Sequence, residues 1–240
     1  MTAYPWPKNI KYQIFDNSYK DSTHYYKPEA TISEAEIVNN ISSVCKDLNA
    51  KKILLLKQVH SPKIIIDDGR DSYANIEADG IITTASNIAI GVLTADCVPV
   101  LITNSKGDFI ASLHCGWRGT AAGIIKEFST ILERNFPFID NLYAIIGPAI
   151  SQRRYEVSKE LYNIFCNIDN SYDDLFLKTD SKDSFYFDLP SLVEIELRKI
   201  GITTLTSTIR KCSYDNPECF SWRRSRGLEK RRILSAIMIS

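Results

Sequence analysis

Between Gly80 and His114 the sequence passes through four short apolar runs, Gly80–Thr84, Ile88–Leu93, Val98–Thr103 and Phe109–His114. They are rich in β-branched residues and bounded by polar or turn-forming ones, the pattern of buried strands. The longest apolar tract, Ile81 to Ile102, is broken by Asn87 and Asp96, so it does not supply the ~20 apolar residues of a membrane helix. A sheet must therefore form the middle of the molecule. Further strands are predicted at Lys52–Val59, Ile64–Asp67, Leu142–Ile146, Thr203–Thr208 and Ile233–Ile239. Helices are predicted at Ser33–Leu48, Thr120–Asn135, Ser158–Ile168 and Leu189–Ile200; Ser33 and Glu36 have capping-box spacing. Strands and helices mix without regular alternation, which predicts an α+β fold in a single domain over residues 1–240.

Lys+Arg and Asp+Glu are equal at 29 each. With no basic excess, nucleic acid and membrane surfaces are not the expected partners. Six cysteines, at 45, 97, 115, 166, 212 and 219, are scattered, unlike a disulfide scaffold. The N-terminal stretch has no apolar signal core. Reduced thiols and a cytoplasmic location are the expectation, leaving any cysteine free to act as ligand or nucleophile.

There are three histidines, His24, His60 and His114. In the strand Phe109–Cys115, alternation puts Phe109, Ala111, Leu113 and Cys115 on one face and Ile110, Ser112 and His114 on the other. Cys115 reads as a core thiol and His114 as the functional candidate. The same alternation groups Leu54, Leu56, Gln58 and His60, with His60 emerging before Ser61-Pro62. Cys97 ends another apolar strand. If these strand ends converge, His60, Cys97 and His114 form a nitrogen–sulfur–nitrogen site suited to zinc, with an open fourth position. The bland alternative is three unrelated structural residues. His24 reads as solvated, and Cys212 and Cys219, with no histidine nearby, as buried thiols.

The strand carrying His114 ends in GWRGTAAGIIKEF. A turn through Gly116 and Gly119 into a helix capped by Thr120 would offer free N–H groups to an anion, with Arg118 as a guanidinium fork. A tight structural turn beside an exposed arginine is the equal alternative.

The blocks KQVHSPKI, EADGIITT, IAIGVLTADCVPVLI, ASLHCGWRGTAAGII, IGPAIS with YEV, and CFSWRR resemble the bacterial YfiH/YlmD-like proteins and the related laccase-domain protein of animals, once called multicopper polyphenol oxidases and now regarded as purine nucleoside phosphorylases. The resemblance runs from about residue 53 to 224. It implies zinc at His60, Cys97 and His114, with copper as an alternative. It also implies phosphorolysis of adenosine, inosine, guanosine or methylthioadenosine, together with adenosine deamination. The implied fold is an α/β sandwich with a mixed sheet, similar to the catalytic domain of cytotoxic necrotizing factor. On that reading Arg118, Gly119 and Thr120 hold phosphate and Gln58 supports His60 or contacts substrate, while Asp96 faces away from the metal. The stretch Asn17–Glu36 lacks the family's Gly-Val-Ser and Ser-x-Asn-Leu-Gly segments. The family's Tyr-Arg-Arg is Trp222-Arg223-Arg224 here, and its Thr-Gly-Arg is replaced around Glu229–Arg232.

Three other functions compete. A multicopper oxidase needs more imidazoles than three. A cysteine hydrolase would use Cys97 as nucleophile with His60 or His114 as base. A binding protein would keep the fold without turnover.

Overall fold

The computed structural model describes residues 6–17, 34–139, 141–204 and 211–240. In chain order the elements are β1 (Ile10–Phe15), α1 (Glu34–Leu48), β2 (Lys52–Leu54), β3 (Ile64–Ile66), β4 (Gly80–Thr83), β5 (Ile88–Thr94), β6 (Val98–Asn104) and β7 (Ile110–Cys115). There follow α2 (Trp117–Ala121), α3 (Ile124–Asn135), β8 (Leu142–Ile146), β9 (Glu156–Ser158), α4 (Lys159–Ile168), β10 (Phe176–Lys178), β11 (Ser184–Phe187), α5 (Leu189–Lys199), β12 (Thr203–Thr204) and β13 (Ile233–Ile239).

The strands form a four-stranded sheet ordered β1-β13-β5-β2, a six-stranded sheet ordered β12-β8-β6-β7-β4-β3, and a small sheet ordered β10-β11-β9. Both large sheets are mixed. β2 joins β5 in parallel, whereas β1, β13 and β5 are antiparallel neighbours. In the larger sheet the parallel pairs lie at the edges, β3 on β4 and β12 on β8.

Strand alternation sorts the apolar side chains into layers. Leu54, Ile90 and Ile237 from the smaller sheet meet Ile81, Leu101 and Ile110 from the larger one between the two sheets. On its outer face the six-stranded sheet packs Ile82, Val100, Ala111, Leu113 and Cys115 against Phe128, Leu161, Phe165, Leu192 and Leu197 of α3, α4 and α5. The outer face of the four-stranded sheet packs Ala89, Leu234, Ala236 and Met238 against Val44 and Leu48 of α1. The result is the α+β sandwich expected, helix on sheet on sheet on helices. Each fully buried Val, Leu, Ile, Phe or Met side chain among them contributes roughly 1.5–3 kcal/mol.

Several elements differ from the sequence reading. β2 stops at Leu54 rather than Val59. The helix expected at Thr120–Asn135 is two helices, α2 and α3, broken at Gly123 with φ 88°, a left-handed conformation that glycine adopts freely. The strands β1, β9, β10 and β11 were not foreseen; the last three have only three or four residues each, too short for alternation to register. The proposed Ser33 cap, solvated His24 and the end of the Thr203–Thr208 strand lie outside the described residues. Among the described residues no helix is long and apolar enough to cross a membrane.

Candidate metal centre

The six-stranded register sets His114 opposite Pro99 and Cys115 opposite Val98. The two side chains therefore leave β7 on opposite faces, as alternation requires. Cys115 is fully buried against the helices, and burial pushes its thiol well above the ordinary range. His114 points between the sheets and is only 3% exposed. That layer is buried, and Ile110 and Ser112 on the same face of β7 are buried with it.

Cys97 sits in the bend between β5 and β6, where the chain crosses from one sheet to the other. His60 follows β2 at a left-handed φ of 60°. Although β2 is short, Leu54 and Leu56 both remain buried, so the face predicted for this stretch persists. Gln58 explains why the ladder ends early. Its Nε2 donates to the Leu93 carbonyl (2.8 Å) and its Oε1 accepts from the Leu93 N–H (2.8 Å), so a side chain replaces the backbone partner. Gln58 also lines the cavity onto which the donors open.

The donor atoms of His60, Cys97 and His114 all lie within 4.8 Å of one another. Cys97 Sγ is 3.8 Å from His60 Nε2, close to the ~3.6 Å that tetrahedral zinc at ordinary Zn–N and Zn–S lengths would impose. Two imidazole nitrogens and a thiolate are a zinc donor set, so the residues present fit the implied ion. Gly116 leaves the room: a Cβ there would lie 2.7 Å from His60 Cδ2 and 3.1 Å from Cys97 Sγ.

Asp79, immediately before β4, was not singled out by sequence. It is fully buried. Its Oδ1 accepts from His114 Nδ1 (2.7 Å) and the His60 N–H (2.9 Å). Its Oδ2 accepts from the Ser61 N–H (2.7 Å), Ser61 Oγ (2.9 Å) and the Val59 N–H (3.2 Å). The only sequence signal was its presence in the EADG block.

Burial works against ionising Cys97, but the positive His114 imidazole and bonds from both histidines outweigh it and lower the thiol. For His114 burial favours the neutral form, and the Cys97 thiolate and Asp79 carboxylate overcome it and raise the imidazole. Burial likewise opposes the Asp79 charge; its bonds to His114 and Ser61 bring the carboxyl below the usual range. The direction of the Cys97 shift favours the thiolate, which is the form a metal binds.

The donors open into a cavity of about 650 Å³. Arg118 lies on its wall, exposed, with its guanidinium 4.3 Å over the Trp117 ring. Thr120 is not a cap. The cap is Gly116, four residues before the predicted helix start, and Thr120 lies inside α2 with its N–H and Oγ1 both bonded to the Gly116 carbonyl, at 2.9 and 3.0 Å. Neither group is available to an anion. Gly119 is buried against the 59–61 loop, where a Cβ would meet the Ser61 carbonyl at 2.9 Å; close packing explains it. Tyr155, Trp222, Arg223 and Arg232 also line the cavity. Trp222 and the 229–232 stretch mark the departures from the family pattern, and Tyr155 opens the YEV block that matches it. Asp96 turns from Cys97 and accepts from Ser213 Oγ and the Arg223 N–H, both at 2.7 Å, tying the C-terminal segment to the cavity.

The chain is 38% identical over 237 residues to a purine nucleoside phosphorylase of Rickettsia conorii, covering 96% of this chain and 97% of that protein. It is 32% identical over 176 residues to the purine nucleoside phosphorylase YfiH of Escherichia coli, covering 73% and 70%. A protein of Neisseria meningitidis shares the fold, with a TM-score of 0.80 at 24% identity over 98% of this chain and 97% of its own. A family model described as multi-copper polyphenol oxidoreductase laccase matches residues 30–240. With most of its length matched and the His-Cys-His cluster at the seam of its sheets, the chain belongs to this laccase-domain family.

Proposed function

We propose that the chain is a zinc-dependent purine nucleoside phosphorylase, cleaving adenosine, inosine, guanosine or methylthioadenosine with phosphate in the cytoplasm and deaminating adenosine as a side activity. The observation that carries this reading is the opening of the His60, Cys97 and His114 donors onto a cavity of about 650 Å³ that also holds Arg118 and aromatic rings. That volume lies within the ~300–1,000 Å³ of small-molecule sites. The names of the relatives at 38% and 32% identity support the substrate class.

In phosphorolysis a phosphate oxygen bonds to the sugar's anomeric carbon as the bond to the purine nitrogen breaks. The purine leaves with that electron pair and takes up a proton. Arg118, charged and free of any ion pair among the described residues, is suited to hold the phosphate. Trp117 fixes the guanidinium from below. Gly119 stands in the first turn of α2, where a backbone N–H has no partner inside the helix, and is suited to meet the phosphate; Thr120, whose N–H and hydroxyl are bonded to Gly116, contributes by shape. The rings of Tyr155 and Trp222 give a flat purine apolar surface to lie against. Zinc held at the donor cluster would supply Lewis-acid polarisation of a substrate or water oxygen. His60, Cys97 and His114 would hold it, and the same set accepts copper. A multi-copper cluster is a different matter: the chain has three histidines in all, and the described residues gather one three-donor cluster.

A second reading has support in the same geometry. Cys97 lies beside His60, and His114 is oriented by Asp79, a Cys–His–Asp arrangement able to act as a hydrolase. Metal content and turnover separate the two. Protein purified without added metal, and its His114→Ala variant, are assayed with adenosine and inosine, with and without phosphate. Bound zinc with phosphate-dependent release of free base, lost in the variant, is the expected result. Metal-free protein that is inactive toward nucleosides and readily alkylated at Cys97 would overturn it in favour of the hydrolase.

A further inference from the structure

We propose that Asp79 is a positioning residue that sets the separation and orientation of the two histidine donors by suspending both from one carboxylate oxygen. The inference rests on the metal-site reading above. Oδ1 takes the ring of one histidine, through His114 Nδ1, and the main chain of the other, through the His60 N–H. Displacing that oxygen moves both donors together.

The Asp79 main chain is gripped as firmly. Its N–H donates to the Lys63 carbonyl at 2.9 Å, and its carbonyl accepts the His114 N–H at 2.7 Å. His114 is therefore held to this one residue by backbone and ring. With the proton of Nδ1 directed at the carboxylate, Nε2 is left with its lone pair toward Cys97 and the ion. On the other side three successive N–H groups, of Val59, His60 and Ser61, converge on the carboxylate. They hold His60 in a left-handed conformation that a histidine adopts uncommonly. Gly116 and Gly119 let the corner after β7 close against the same loop.

The requirement is for a carboxylate in particular. Five donors point at its two oxygens, and an ionised carboxylate has only acceptors to offer. An amide of the same size would turn an NH2 group toward either the His114 ring or the Ser61 donors.

The test is Asp79→Asn against the native protein, with metal affinity measured by competition with a chromophoric chelator and the site's geometry by the visible spectrum of the cobalt-loaded form. Affinity is expected to fall ~10–100-fold, with an altered cobalt spectrum and unchanged far-ultraviolet circular dichroism. A folded variant that binds within twofold of native, with the native cobalt spectrum, overturns the proposal. If the variant does not fold, nitrogen-15 NMR of the native zinc-loaded protein decides. A protected His114 Nδ1 proton with Nε2 metallated is expected; metallation through Nδ1 overturns it. A native protein that binds neither zinc nor cobalt sinks the metal reading itself, which is distinct from native binding that Asp79→Asn leaves unaltered.

Discussion

Gly116 and Gly119 are both small because something else occupies the place of a side chain, yet the two intrusions differ. At Gly116 an added Cβ meets the donors themselves. Gly116→Ala is expected to lower zinc stoichiometry well below native while the protein still folds, measured by elemental analysis beside a melting curve. Cys115 is the opposite case, a sulfur next to the site in sequence and remote from it in chemistry. Cys115→Ser places a hydroxyl in the apolar layer and is expected to cost about 1–3 kcal/mol in urea unfolding, with zinc content unchanged. Loss of zinc in that variant would contradict the separation of faces argued for β7.

Among the elements, the segment from β2 to His60 depends on Gln58 as a surrogate rung. Gln58→Ala removes both bonds to Leu93 and is expected to destabilise by about 1–3 kcal/mol through the unpaired backbone groups. At the α2–α3 break, a Cβ on Gly123 would make an ordinary 3.7 Å contact with Lys126 Cβ, so Gly123→Ala isolates the cost of a left-handed alanine, about 1–2 kcal/mol. Both are read from chemical denaturation. These elements also mark what a sequence can disclose. The runs at Ile88, Val98, Phe109 and Ile233 became strands within a residue or so, because alternation and turn residues are local signals. The trio of His60, Cys97 and His114 was legible for the same reason, each donor closing a patterned stretch. Asp79 was not, since its meaning lies in partners 18 to 35 residues away. Thr120 misled because threonine favours caps, whereas here its hydroxyl bonds back to the carbonyl four residues earlier.

For the whole molecule, an ion held by three separate segments should tie stability to metal. At a thousandfold excess over Kd, binding adds ~4 kcal/mol, or about 8–16 °C in Tm for a chain of this size. Chelation is expected to remove that increment from the native protein and to leave the Tm of His114→Ala unmoved. An equal shift in both would place the stabilising metal elsewhere. The location of the centre has a bearing on how the chain assembles. Cys97 and His114 are brought near each other by the pairing of β6 with β7, a hairpin that needs little of the remaining chain. His60, synthesised before either, reaches them only once β2 is in place beside β5 and the sheets have met. An ion bound by this trio would be captured loosely by the hairpin and gripped fully only after docking, a late rivet whose tightening would report that the sandwich has closed.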